Sequence, residues 1–191
     1  MLTAKYKDTG DIIDITKFSN PRAEIDKTRL VCKFCNNPVS IRHGLVREKH
    51  FYHLSACTSD FERHPESAEH NMGKELVARH VTEFWSEFSK VEVLYEYPIP
   101  EIKRIADIAM VFPSGWVVIH EIQLSGITSE QLQNRTNAYN SIGADVIWWL
   151  GKSADTPANR AWCVEKYGYS LAVDYEVLSG YVKSFQKGDH L

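Results

Sequence analysis

Three of the chain's four cysteines fall between residues 32 and 57, and they arrive with two histidines. Cys32-Lys33-Phe34-Cys35 is a knuckle that offers two thiolates from one tight turn. It is followed by His50-Phe51-Tyr52-His53 and then by Cys57. A tetrahedral zinc site is made from such a turn plus a second ligand pair on a neighbouring hairpin or helix end. Five side chains compete for four places: Cys32 and Cys35, joined by His50 and His53 or by His53 and Cys57. A redox knuckle would open a helix, and Phe34-Cys35-Asn36-Asn37-Pro38 does not continue as one. Residues 1–8, Met-Leu-Thr-Ala-Lys-Tyr-Lys-Asp, lack the apolar centre of a secretory signal, so a metal is expected rather than a disulfide framework, in a soluble cytoplasmic protein. Cys163, far along the chain, reads as a plain buried thiol.

The zinc cluster belongs to a turn-rich opening segment. Asp11–Ile15, Arg29–Cys32 and Val39–Arg42 read as short strands, separated by Asn20-Pro21 and Asn36-Asn37-Pro38. So few large apolar residues bury little core, and a metal staple would hold the segment together. From residue 66 the pattern changes. Met72, Leu76, Val77, Val81, Phe84 and Phe88 recur at helical steps over 66–88, with Pro65 near the expected first turn. Strands are expected at 91–99, 104–112 and 116–124, then a helix at 128–142 capped by Ser125 or Thr128. A buried central strand follows at 144–150, then a helix near 159–166 and a strand near 169–175. This order predicts an α/β sandwich with a mixed sheet flanked by helices. The boundary falls at 62/63, with a zinc-binding module over 1–62 and the α/β domain over 63–191.

The 191 residues carry a net charge of −3, so the chain does not coat nucleic acid by bulk electrostatics. The charge is uneven. Residues 1–64 hold 11 Lys and Arg against 8 Asp and Glu, and the remainder holds 11 against 17. A mildly basic front beside an acidic body suits phosphate contacts next to a cation site. No apolar run approaches the ~20 residues of a membrane-spanning helix.

Geometry locates that cation site. Pro113-Ser114-Gly115 reads as a hairpin loop centred on Ser114, so facing residues have numbers summing to 228. Asp107 then faces Glu121, and Ile105 faces Gln123. Residues two apart on a strand share a face, so Glu121 and Gln123 point together. Two carboxylates ~5 Å apart repel unless a cation lies between them or one is protonated, and such oxygens suit Mg²⁺ or Mn²⁺. A half-exposed strand face with two solvated acids is the bland alternative. On the preceding helix Glu66, His70 and Lys74 fall on one side, with Glu69 on the same broad face. They read as a further metal ligand, a water-orienting group and a phosphate contact, or as an exposed face of ordinary ion pairs. Arg135 and Tyr139 share a face of the later helix, where Arg135 offers a second phosphate contact. There is no HExxH, glycine-rich phosphate loop or nucleophile elbow.

Taken in order, Cys32-x2-Cys35, His50-Phe51-Tyr52-His53, Glu66-x2-Glu69-His70-x3-Lys74, Asp107, Glu121-Ile122-Gln123, Arg135-x3-Tyr139 and Val146–Leu150 resemble the competence protein CoiA-like family. The resemblance implies a zinc-finger-like region joined to a restriction-endonuclease-like core of the PD-(D/E)XK type, acting in the processing or recombination of DNA. It implies that Asp107 and Glu121 are the metal-binding acids and that Gln123 stands at the lysine position of the motif. Glu66 or Glu69 is then the accessory acid. Glutamine supplies neither positive charge nor a proton, so His70 or Lys74 must help. The expected cofactors are structural Zn²⁺ and catalytic Mg²⁺ or Mn²⁺, and the expected partner is DNA, met by Lys74, Arg135 and Tyr139. The expected reaction is phosphodiester hydrolysis. The rival readings are a catalytically inactive zinc-containing DNA-binding module and a zinc-stapled interaction protein. The sequence is silent on oligomeric state; a homodimer is allowed for, because nucleases that act on duplexes often pair.

Overall fold

A computed structural model describes residues 1–44, 47–59 and 66–180. The expected domain boundary at 62/63 and Pro65 lie outside the described residues. The front of the chain forms β1 (Thr3–Tyr6), β2 (Ile12–Asp14), the short helix α1 (Pro21–Glu24), β3 (Leu30–Val31), and an antiparallel hairpin of β4 (Val39–Gly44) and β5 (Arg47–His53). β1 pairs with both β2 and β3. Neither β1 nor β5 is expected from the sequence, because Thr3-Ala4-Lys5-Tyr6 and Lys49-His50-Phe51-Tyr52 are held by tertiary contacts rather than by strong alternation.

The body matches the expected element order closely. It comprises α2 (Ala68–Phe84), β6 (Glu92–Ile99), β7 (Arg104–Val111), β8 (Val117–Gln123), α3 (Ser129–Asn140), β9 (Asp145–Leu150), α4 (Pro157–Tyr167) and β10 (Leu171–Ala172). The strands lie in the order β10-β9-β8-β7-β6. β6, β7 and β8 run antiparallel, while β8, β9 and β10 run parallel, which makes the sheet mixed. β10 is shorter than expected, and the chain turns helical again at 175.

The sheet is buried on both faces. On one face Met72, Val77, Ala78 and Val81 of α2 pack on Ile108, Met110, Val118 and Ile122. On the other, Leu132 and Tyr139 of α3 and Cys163 of α4 pack on Ala109, Ile119, Val146, Trp148 and Leu150. Gly73 lets α2 come close to β8, since a Cβ there would lie 3.2 Å from Ile122 Cγ2. The α3 start is a capping box: Thr128 accepts the Gln131 N–H, and the Gln131 side chain accepts the Thr128 N–H. Ser67, not singled out in the sequence, caps α2 by accepting the His70 N–H.

The front segment does not stand on a small core of its own. Leu2, Ala4, Ile15, Leu30, Val39, Ile41 and Phe51 join the same buried cluster as α2 and the sheet. Apolar surface buried jointly with the body stabilises the segment alongside any metal.

Candidate functional site

The knuckle is built by backbone bonds. Cys32 N–H donates to Asn37 O at 2.8 Å, Asn36 N–H donates to Cys32 O at 3.0 Å, and Asn36 takes a left-handed φ of 59° to close the turn. Phe34 N–H points at Cys32 Sγ, 3.4 Å away, a contact that favours thiolate. His53 ends β5, opposite Val39, and brings its imidazole to the knuckle. One ligand atom from each of Cys32, Cys35, His53 and Cys57 lies within 4.8 Å of the others. Cys35 Sγ and His53 Nε2 are 3.5 Å apart, against the ~3.5 Å expected for sulfur and nitrogen on one tetrahedral zinc. Burial raises the Cys35 thiol, but the N–H groups of Asn37 and Thr58 and the neighbouring thiols outweigh it and lower its pKa. Three sulfurs and a nitrogen at this spacing fit a structural metal. His50 is not in the group. It pairs with Arg42 across the hairpin and lines a cleft instead.

The cleft, of about 1450 Å³, runs between this module and the end of the sheet, and Glu66, His70, Asp107, Glu121, Gln123 and Arg135 line it. The hairpin register is as the loop dictates: Ile108 faces His120 and Val111 faces Val117, each pair summing to 228. Gly115, at φ 86°, closes the three-residue loop without shifting it. The recorded ladder stops just before Asp107. There the Asp107 carboxylate takes the place of a strand carbonyl and accepts the Ile122 N–H at 2.9 Å. The β6–β7 ladder also skips Asp107, between Tyr95↔Ile108 and Tyr97↔Ala106, where Glu96 sits at φ 51°. Both ladders therefore open at the acid.

α2 delivers the next groups. His70 Nε2 lies 3.1 Å from Asp107 Oδ2, and His70 Nδ1 lies 3.9 Å from Glu66 Oε1. One atom each of Glu66, His70 and Asp107 fall within 4.8 Å of one another, a second group able to hold a cation. Burial alone would raise Asp107, but His70, Lys74 and the Ile122 N–H hold its carboxyl below the usual range. Burial lowers His70, and the Asp107 charge more than reverses it, so the imidazole pKa is raised. Lys74 is fully buried rather than facing a phosphate. Its Nζ donates to Glu66 Oε1 at 2.7 Å and to Glu96 Oε1 at 3.0 Å. Glu96 also accepts from Leu2 N–H at 2.7 Å and from the Thr3 hydroxyl at 2.7 Å, which ties the front segment to β6. The sequence carries one signal for this acid, its place inside the apolar strand Val93-Leu94-Tyr95-Glu96-Tyr97. Glu69 is half-buried on the cleft wall, outside the cation group.

Glu121 is held from α3. Tyr139 Oη donates to Glu121 Oε1 at 2.5 Å, and Arg135 Nη2 donates to Glu121 Oε2. Arg135 Nη1 donates to Gln123 Oε1 at 2.9 Å, and Gln123 Nε2 donates to Ser125 O, also at 2.9 Å. The guanidinium lies 4.8 Å from the centre of the Trp148 ring. Burial raises the Glu121 pKa, Arg135 opposes this, and Asp107 adds to it. Tyr139, expected at the nucleic acid, is fully buried, and its hydroxyl is spent on Glu121. Arg135 is here the cation that balances Glu121, while His70 and Lys74 balance Asp107.

A protein-family model described as "Competence protein CoiA, nuclease-like domain" matches residues 66–176, which span α2 through β10 and all the acids above. Two solved structures are similar in part. A repair endonuclease from Pyrococcus abyssi is 20% identical with a TM-score of 0.33, over 58% of this chain and 49% of that one. An EndoMS-dsDNA2 complex is 17% identical with a TM-score of 0.36, over 72% of this chain and 61% of that one. This chain thus spans less than two thirds of the length of either of those solved chains. No curated protein matches the sequence.

Proposed function

The chain belongs to the competence protein CoiA nuclease-like family, and from that premise we propose that it is a nuclease of the PD-(D/E)XK type, dependent on Mg²⁺ or Mn²⁺, that hydrolyses phosphodiester bonds of DNA. The observation that carries this reading is Asp107. It stands at a gap in two strand ladders, ionised, within 4.8 Å of a second carboxylate and an imidazole. Two oxygens and a nitrogen fit a divalent ion, with Glu66, His70 and Asp107 as donors. A bound ion would polarise a phosphate oxygen and lower the pKa of a coordinated water.

The chain's own groups do the rest. His70, hydrogen-bonded to Asp107 at 3.1 Å, orients that carboxylate, and as a donor to an ion it would act as the neutral imidazole. Glu121, held by Arg135 and Tyr139 on the cleft wall, would offer a further carboxylate near the ion, and Arg135 would supply positive charge where negative charge grows on a phosphate. Gln123 steers that arginine through its carbonyl oxygen and takes the lysine position of the motif as an orienting group. Lys74 holds Glu66 and Glu96 in place through its two hydrogen bonds. The module over 1–62, with zinc on Cys32, Cys35, His53 and Cys57, walls the cleft against the domain over 63–191. Arg42 adds basic charge on its wall. A role in processing or recombination of incoming DNA agrees with this chemistry.

Cleavage of DNA in Mg²⁺ or Mn²⁺ tests the reading. The wild type is expected to cut, and Asp107→Ala and Glu121→Ala to be inactive while keeping fold and bound zinc. Retained cleavage in both variants would sink the site. DNA binding with no metal-dependent cleavage would favour a binding module that has lost turnover.

A further inference from the structure

Aromatic rings line the cleft in company with cations. On the module side, Arg42 Cζ lies 4.3 Å from the centre of the Tyr52 ring. On the far side, Lys152 Nζ lies 4.7 Å from the centre of the Tyr175 ring. Phe34, inside the cysteine knuckle, is a third ring on the lining. The sheet order separates the two tyrosines. The module is tied to β6 through Glu96, Lys152 follows β9 and Tyr175 follows β10, while Asp107 on β7 and Glu121 on β8 lie between.

Local structure fixes both pairs. In the hairpin, Ser40 faces Tyr52 and Arg42 faces His50, so Arg42 and Tyr52 are diagonal neighbours on one face. The opposite face sends Val39, Ile41 and Phe51 into the core. Lys152 adopts φ 52°, a left-handed conformation that a residue with a side chain takes only under constraint, and such positions gather at functional sites.

We propose that the cleft takes single-stranded DNA, with unpaired bases stacked on Tyr52 and Tyr175 on either side of the phosphate to be cut. This rests on the nuclease reading and adds strandedness to it. A ring gains from stacking only against a base whose face is open, and in a duplex both faces are covered by neighbouring pairs. Duplex backbones are gripped instead by cations and N–H groups. A chain with a net charge of −3 has no general electrostatic hold on phosphate, so its affinity has to come from local contacts of this kind. Arg42 lies over the Tyr52 ring and Lys152 donates to the Tyr175 hydroxyl at 3.3 Å, so each tyrosine carries a cation that can pass to a flanking phosphate when bases arrive. The cleft exceeds the ~300–1,000 Å³ of a small-molecule site, as a run of several nucleotides requires.

The test uses the full chain carrying Asp107→Asn, so that substrate is bound and not cut, with fluorescein-labelled oligonucleotides followed by anisotropy. The probes are a single strand, the duplex of the same sequence, and the same strand with its central bases removed. The single strand is expected to bind at least ten-fold tighter than the duplex, and the base-free strand to lose that advantage. Tyr52→Ala and Tyr175→Ala should each weaken single-strand binding about five- to hundred-fold. Tyr→Phe at either place keeps the ring and should keep the affinity. Equal binding of strand and duplex, or of strand and base-free strand, overturns the proposal even if the alanine variants fold poorly, because those arms leave both tyrosines in place. If the wild type then cuts duplex in an Asp107-dependent way, the nuclease reading survives alone. If no probe is bound and none is cut, both fall.

Discussion

Lys74 and Glu96 place opposite charges where water does not reach, and each holds the other in its ionised form. Burial works against both, yet the pairing leaves Lys74 raised and Glu96 lowered in pKa. Removing one member strands the other, so Lys74→Met should cost about 3–5 kcal/mol in a urea titration. Adding Glu96→Gln to that variant should restore part of the loss. His120 makes a separate prediction. Its Nδ1 accepts from Trp149 Nε1 at 3.0 Å, its Nε2 has no partner among the described residues, and burial pushes its pKa from 6.5 down to about 3. The folded imidazole resists protonation, so as pH falls the unfolded chain takes up the proton first. Stability should be unaffected above about pH 6.5 and drop by about 1.4 kcal/mol per unit between there and pH 3. Thermal melts across that range should show a shallower slope for His120→Gln. Neither pairing is legible in the sequence. Helical spacing singles out Lys74, but the acid that fixes it is 22 residues away, and the N–H groups that complete that acid are more than 90 away.

At the scale of elements, the β7–β8 hairpin was readable in register as well as in place, because a three-residue loop with glycine leaves one pairing that keeps both strands' apolar faces inward. The expected facing pairs Asp107–Glu121 and Ile105–Gln123 lie beyond the ladder, which ends at Ile108–His120. Asp107 turns to His70 of α2 while Glu121 is held by α3, and the candidate metal ligands Cys32, Cys35, His53 and Cys57 come from spacing within one short stretch. What escaped was the partner of Glu121. Arg135 and Tyr139 share a helix face by periodicity, but only the packing of α3 on the sheet decides that this face looks inward at an acid. Two helices carry tests. Thr128→Ala breaks the α3 capping box and should cost about 1 kcal/mol. Gly73→Leu forces α2 away from Ile122, with a stability loss of about 1–3 kcal/mol. Because His70 and Lys74 ride on α2, Gly73→Leu should also lose cleavage beyond what its melting temperature explains. Cleavage measured well below that temperature separates the two effects.

Across the whole molecule, module and body share one buried cluster, so a metal held by the cysteine site would be coupled to the geometry of the cleft. Elemental analysis should find one zinc per chain, and Cys35→Ser should lower the melting temperature by about 2–4 °C for each kcal/mol of metal-dependent stability lost. Sequence separation, which hid these long-range ties from inspection, has a further consequence. Glu96 accepts from Leu2 and Thr3, so on a ribosome these residues wait for an acid made more than 90 residues after them. At about 5–20 residues per second, that wait is of the order of 5–20 s. Throughout it the front strands lack the β6 acid that anchors them, and the wall they form beside Asp107 and Glu121 is complete only when translation of the sheet is nearly done.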